Sequence, residues 1–298
     1  MRVFVTGATG FVGTAVVQEL IQAGHQVLGL ARSDAAAAAL LAAGAEVQRG
    51  DLEDLASLRR GVANADGVIH TGFIHDFARF QAVCETDERA IEAIGAELAG
   101  SNRPFIVTSG AALVAPGRMA TEADLHQAKS ATYPRASEHA AMVLAANGVN
   151  ASVVRLPPSV HGAGDHGFVP ILINLAREKG VSAYVDEGLN RWTAVHRQDA
   201  AKVYRLALER ASAGARYHAI AEEGIAFKEI AEVIGRHLHI PVVAKSGEDA
   251  AKHFGWFAGF AKIDCPASSQ LTREALGWQP EQTGLIADIE TADYFKTE

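Results

Sequence analysis

The first thirteen residues, Met1 to Gly13, restrict the fold of this chain more than any other stretch. Arg2-Val3-Phe4-Val5 is a short apolar run of β-branched and aromatic residues, which predicts a buried strand. Thr6-Gly7-Ala8-Thr9-Gly10-Phe11-Val12-Gly13 follows at once, and the pattern then predicts an amphipathic helix over residues 14–23. Strand, glycine-rich turn and helix in this order build a site for a diphosphate. Gly7 permits the tight turn. Gly10 lets the backbone approach the phosphates, where a Cβ would collide. Gly13 lets the helix pack closely on the strand. The free N–H groups and the dipole at the helix N-terminus then face the anion. The alternative is a strand-turn-helix whose small residues serve packing alone. The position directly after an N-terminal strand favours the anion site.

With 298 residues, 49% of them hydrophobic, the chain can bury one large core or a core with a smaller attached lobe. Net charge is −8 and the basic residues are scattered, which argues against a nucleic-acid partner. No apolar run is long enough to span a bilayer, and the N-terminus lacks the charged and cleavable pattern of a signal peptide. Cys84 and Cys265 are the only cysteines, too few for a disulfide framework and consistent with a reducing cytoplasm.

The spacing Gly-x-x-Gly-x-x-Gly, within TGATGFVG, resembles the cofactor loop of the extended and atypical short-chain dehydrogenase/reductases. Further strands are predicted at 26–31, 45–49, 65–70, 104–108 and 151–156, with helices at 35–43, 52–61, 82–98 and 136–146 between them. Six strands alternating with helices imply a Rossmann-type, doubly wound parallel sheet. We assign residues 1–156 to this dinucleotide-binding domain. Residues 157–298 read mainly as a small substrate-binding lobe, with a return to the main sheet near 191–220.

Arg32-Ser33 stands at the end of the second strand, which in dinucleotide folds reaches the adenosine ribose. An acidic residue there repels a 2′-phosphate and an arginine pairs with it, so NADP(H) is expected ahead of NAD(H). A solvated loop arginine is the alternative, and Asp34 close by weakens the rule. Asp34 is also the expected cap of the helix after it. Gly50-Asp51-Leu52 resembles the family element whose aspartate bonds the adenine amino group; Asp51 could equally cap the helix after it. His70-Thr71-Gly72 and Thr108 lie at carboxyl ends of strands, where the resemblance implies cofactor contact. Pro157-Pro158-Ser159 resembles the segment that covers the nicotinamide. Ala194–Ala201, with His196-Arg197-Gln198-Asp199, and Gly277-Trp278-Gln279-Pro280 resemble two further family elements, so the likeness spans nearly the whole chain. A homodimer fits the family.

Most members of this family use a serine or threonine, a tyrosine and a lysine, the last two as Tyr-x-x-x-Lys on one helix. That motif is absent here. In its place stands Ala131-Thr132-Tyr133-Pro134-Arg135-Ala136-Ser137-Glu138. Arg135 falls near the lysine position, Ala131 at the tyrosine position, and Tyr133 at the predicted helix entrance. This resembles an atypical subgroup with basic residues there. Tyr133 could supply a proton beside Arg135; Arg135 could act alone on a substrate oxygen; or both could be structural. An arginine is a poor proton donor but stabilises an oxyanion. Ser109 is the best hydroxyl candidate, and His161 could be a missing acid. His161, Asp165 and His166, or His70, His75 and Asp76, lack the spacing of a metal site. Phe254, Trp256, Phe257 and Phe260 read as packing within the C-terminal lobe or as an apolar pocket wall. The expected function is NADP(H)-dependent oxidoreduction of a small organic carbonyl or alcohol. An epimerase or dehydratase using NAD(P) transiently, or a non-catalytic NADP(H) sensor, are the rival readings.

Overall fold

The computed structural model describes residues 1–130, 133–291 and 293–296. Its first half alternates strictly: β1 Arg2–Thr6, α1 Phe11–Gln22, β2 Gln26–Ala31, α2 Asp34–Ala42, β3 Glu46–Arg49, α3 Leu55–Ala63, β4 Gly67–His70, α4 Phe80–Leu98, β5 Phe105–Gly110, α5 Ser137–Ala146 and β6 Ala151–Leu156. The second half mixes short strands with helices. It runs β7 Ser159–His161, α6 Phe168–Lys179, β8 Ser182–Val185, β9 Arg191–His196, α7 Arg197–Arg210, β10 Arg216–His218 and β11 Glu222–Ala226, then α8 Phe227–Leu238, β12 Val242–Lys245, α9 Gly247–Phe254, α10 Ala258–Ala261, α11 Gln270–Leu276 and α12 Leu285–Thr291.

Seven strands form one sheet in the order β3-β2-β1-β4-β5-β6-β10, and every pair in it is parallel. A parallel sheet must be covered on both faces. One face carries α1, α2 and α7, whose Val16, Leu20, Leu40, Val203 and Leu208 pack on Val3, Val5 and Ile69. The other carries α3, α4 and α5, with Leu58, Ile91, Ile94 and Ala141 against Phe4, Phe105 and Val153. The fold is thus a Rossmann-type doubly wound sheet. Strand order reverses between β1 and β4, so the crevice beyond their carboxyl ends is the place where such sheets bind ligands.

A third core lies in the C-terminal half around Trp192, Phe227, Phe254 and Phe257. It packs with a three-stranded sheet, β11-β9-β7, and a two-stranded one, β12-β8. Phe254 and Phe257 belong to this core, and Phe168 meets Phe257 and Phe260 at centroid distances of 5.0 and 4.8 Å. Trp256 is exposed. Two of the family-like elements meet beside the core of the main sheet, which holds Ala200, Ala201 and Trp278: Asp199, buried at the start of α7, accepts from the amides of Glu281 and Gln282, and its carbonyl accepts from Trp278 Nε1.

The structure corrects several local expectations. Ser33, not Asp34, caps α2, with Oγ accepting from the Ala36 amide at 3.2 Å. Asp54 caps α3, which starts at Leu55 rather than near Leu52. Asp51 Oδ1 instead accepts from the amides of Glu53 and Asp54, tying the turn before the helix. Helix α1 begins at Phe11, three residues earlier than expected, because Gly10 can serve as its cap.

Candidate active site

Gly7 has φ +64°, a conformation that a side chain resists, and an ideal Cβ on it would lie 2.7 Å from Gly72 Cα. The glycine loop therefore touches the end of β4 backbone to backbone. A Cβ on Gly13 would lie 1.9 Å from the Gly7 carbonyl oxygen, so only glycine lets α1 start this close to the turn. The cap residue Gly10 has no side chain to occupy the helix terminus. The N–H groups of Phe11, Val12 and Gly13, in the first turn, have no intrahelical acceptor. A cradle of uncapped donors behind a glycine turn fits a diphosphate. Thr71 Oγ1 donates to the Thr6 carbonyl at 2.8 Å, fixing the neighbouring wall.

Arg32 is exposed at the end of β2. Its neighbour Asp34 is paired: Arg49 at the end of β3 donates to Asp34 Oδ1 at 2.7 Å and to the Ser33 carbonyl at 2.5 Å. The acidic group that weakens the NADP(H) argument is thus partly neutralised by Arg49, which the sequence reading did not single out.

Not every expected residue offers its side chain to a ligand. His70 is buried and both of its ring nitrogens are engaged inside the protein. Nε2 meets Asp87 Oδ1 at 3.0 Å and Nδ1 meets Thr6 Oγ1 at 2.8 Å. Thr6 Oγ1 accepts from the Gly72 amide at 3.2 Å. On the far side Ser137 Oγ donates to Asp87 Oδ2 at 2.6 Å and accepts from Arg135 Nε at 3.2 Å. Each donor finds an acceptor when His70 is neutral and Asp87 ionised. One hydrogen-bond chain therefore runs from Gly72, against the glycine loop, to Arg135. Thr108 is likewise occupied: Oγ1 donates to the His70 carbonyl at 2.7 Å and accepts from the Tyr204 hydroxyl at 2.8 Å.

Arg135 sits half-buried with its guanidinium 4.6 Å above the Phe73 ring, a cation–π contact. Among the described residues, its guanidinium donates one hydrogen bond, from Nε to Ser137 Oγ. Tyr133 lies in the loop before α5, not on the helix, and Pro134 with it; the helix opens only at Ser137. The Tyr133 hydroxyl meets His126 Nε2 at 3.0 Å. Burial pushes the phenol up to about 12, against a smaller downward pull from Arg135. Tyr133 is therefore protonated at neutral pH. Ala131 lies outside the described residues. Ser109 Oγ is buried with no partner among the described residues, as is Ser159 Oγ on β7. A buried hydroxyl in that state is suited to a ligand.

His161 is also buried, with Nδ1 2.9 Å from Asp288 Oδ2 and Nε2 unpartnered among the described residues. Its neighbour Asp165 is held by the Tyr294 hydroxyl and the Gly167 amide. Asp76 pairs with Arg79. Among the described residues no group of three or more His, Cys, Asp or Glu side chains could hold a metal ion. Sequence reasoning missed Asp87, Ser137 and His126. Asp87 had a signal: it lies on the apolar face of α4 with Val83, Ala90, Ile91 and Ile94, where a carboxylate requires partners. His126, in an irregular loop, had none.

Comparison with known proteins places this geometry in context. The model of the NAD dependent epimerase/dehydratase family matches residues 3–221. An uncharacterized protein of Schizosaccharomyces pombe is 51% identical over 297 residues, 99% of this chain and 100% of its own. A 2-alkyl-3-oxoalkanoate reductase of Stenotrophomonas maltophilia is 32% identical over 226 residues, 72% of this chain and 67% of its own. The crystal structure of a nucleoside-diphosphate-sugar epimerase from Pseudomonas aeruginosa superposes with a TM-score of 0.78 at 19% identity, covering 99% of each chain.

Proposed function

Because this chain belongs to the NAD dependent epimerase/dehydratase family, we propose that it is an NADP(H)-dependent oxidoreductase acting on a small organic carbonyl or alcohol. When bound, the cofactor supplies the hydride chemistry. Gly7, Thr9, Gly10, Phe11, Val12 and Gly13 would hold its diphosphate, and Arg32 with Ser33 its 2′-phosphate. Asp51 and Leu52 would meet the adenine, and Thr71, Gly72, Pro157 and Ser159 the ribose and nicotinamide side. His70 and Thr108 would shape that wall from within.

The observation that carries the reading is a protonated phenol two residues from a half-buried arginine whose guanidinium lies over the Phe73 ring. A neutral Tyr133 can give a proton to an oxygen that is gaining negative charge. The Arg135 guanidinium can stabilise that oxygen, and the unpartnered Ser109 hydroxyl can bond it. The reductase relative at 32% identity supports a carbonyl substrate. The structural likeness to a sugar-nucleotide epimerase supports a second reading, in which NAD(P) is used transiently and stays bound. Cofactor retained through purification would favour that second reading.

The test is NADPH consumption by the purified protein against a panel of ketones and aldehydes, with NADH alongside. Turnover faster with NADPH, and lowered about 10²-fold or more in Tyr133→Phe, is expected. NADPH binding without turnover of any panel member would overturn the reductase assignment.

A further inference from the structure

His126 has a proton arrangement fixed by its partners. Nδ1 lies 3.0 Å from the Gln127 carbonyl oxygen, which only accepts, so Nδ1 carries the hydrogen. In the neutral ring Nε2 then has only a lone pair, and the Tyr133 hydroxyl, 3.0 Å away, donates to it. The two rings lie 5.4 Å apart, centroid to centroid. His126 is half-buried, between exposed Leu125 and exposed Gln127, so its ring also has a route to water. From this geometry we propose that His126 is the proton partner of Tyr133. The histidine takes the phenol proton, or restores it, while Tyr133 exchanges a proton with substrate.

The inference rests on the reading of Tyr133 as proton donor. In the reducing direction the Tyr133 O–H bond breaks and its proton moves to the substrate alkoxide oxygen, giving the alcohol. Neutral His126 then takes a proton from solvent hydronium at Nε2 and hands it to the phenolate, which restores the Tyr133 phenol and the neutral ring. In the oxidising direction the substrate hydroxyl gives its proton to the Tyr133 oxygen as the phenol proton moves to Nε2. No electrons move in either relay. A phenol raised by burial is a weak base unless a second group takes its proton, and Nε2 is the acceptor in place.

The groups that face His126 are Glu138 at the start of α5, Arg155 on β6, Arg135 and Tyr133. Burial lowers the imidazole below its ordinary value, Glu138 opposes this, and Arg155 and Arg135 add to it. The ring is therefore neutral at rest, with one carboxylate to favour the imidazolium when it forms.

Two measurements test the pairing. Nitrogen-15 NMR of histidine-labelled protein should place the His126 hydrogen on Nδ1. Tyr133→Phe should then raise the His126 titration by about half to one pH unit, because a donor to its neutral form is lost. This readout needs no substrate; an unmoved titration overturns the inference. For turnover, His126→Gln should lower kcat about 10²-fold and flatten the acid limb of the pH profile, on the low side of an ordinary imidazole, and added imidazole should restore part of the loss in His126→Ala. Wild-type kcat and pH profile in His126→Gln, with Tyr133→Phe inactive, would overturn the relay and leave the reductase reading standing. Full turnover in Tyr133→Phe would instead overturn the role given to the tyrosine and the relay with it.

Discussion

At the scale of single residues, the charge presented beyond the end of β2 depends on which group is left unpaired. Arg49 engages Asp34, and Arg32 stands exposed beside them. Losing a charge-assisted contact to phosphate costs about 1.5–3 kcal/mol, so Arg32→Ala should weaken NADPH binding about 10- to 100-fold with NADH little changed. Arg49→Ala should lower the NADPH-to-NADH preference too, since it releases the Asp34 carboxylate toward the same phosphate. Fluorescence titration with both cofactors reads both effects; an unchanged ratio in Arg32→Ala would remove the NADP(H) assignment. The places of Gly7, Arg32 and Thr71, directly after strands, were legible in the sequence. His70 was found by the same rule, but its ring turned out to serve the interior. The hydrogen-bond partners around Tyr133 and Arg135, namely His126, Ser137 and, through Ser137, Asp87, come from three separate segments. Nothing in local sequence says that a loop histidine will meet Tyr133.

Among the elements, α1 is constrained by a backbone contact at its first turn. Its start is pressed on the turn so closely that Gly13→Ala must push backbone, not a flexible side chain. Overpacking of this kind costs about 1–3 kcal/mol, and the displaced first turn should also lose cofactor affinity. A urea midpoint and an NADPH titration on the same variant check both; wild-type values in each would mean the close approach is not needed. Elements of the first half were legible because hydrophobic runs and glycine punctuation alternate there, and β2 and β6 match residue for residue. Short strands of the second half, such as β7, β8 and β12, were not. Each is held by partners distant in sequence, as when β12 pairs with β8 through Val242 and Ser182. Caps shifted by one residue at Ser33-Asp34 and by three at Asp51–Asp54, because more than one residue able to cap stands at each place.

For the whole molecule, histidines shielded from water set the response to acid. The buried His218 and His253 and the half-buried His126 and His196 are each lowered, with burial the largest cause. His218 shows why: Nε2 accepts from Arg155, which in turn is paired with buried Glu138. A proton on that nitrogen would set two cations against each other. Below the ordinary value of 6.5 the unfolded chain binds protons that the folded one refuses. Stability is thus complete above that value and lost as pH falls through it toward the lower folded values. The urea midpoint should drop between about pH 7.5 and about pH 5.5, and a flat profile there would contradict the account. The sheet carries a further consequence for how the molecule comes to exist. Its edge strand β10 and the helix α7 that covers α1 both lie beyond residue 196. During synthesis the first half leaves the ribosome with β6 open along one side and α1 bare, an adhesive intermediate. Completion of the seven-stranded sheet and its covering layer must wait for a segment synthesised long after the glycine loop.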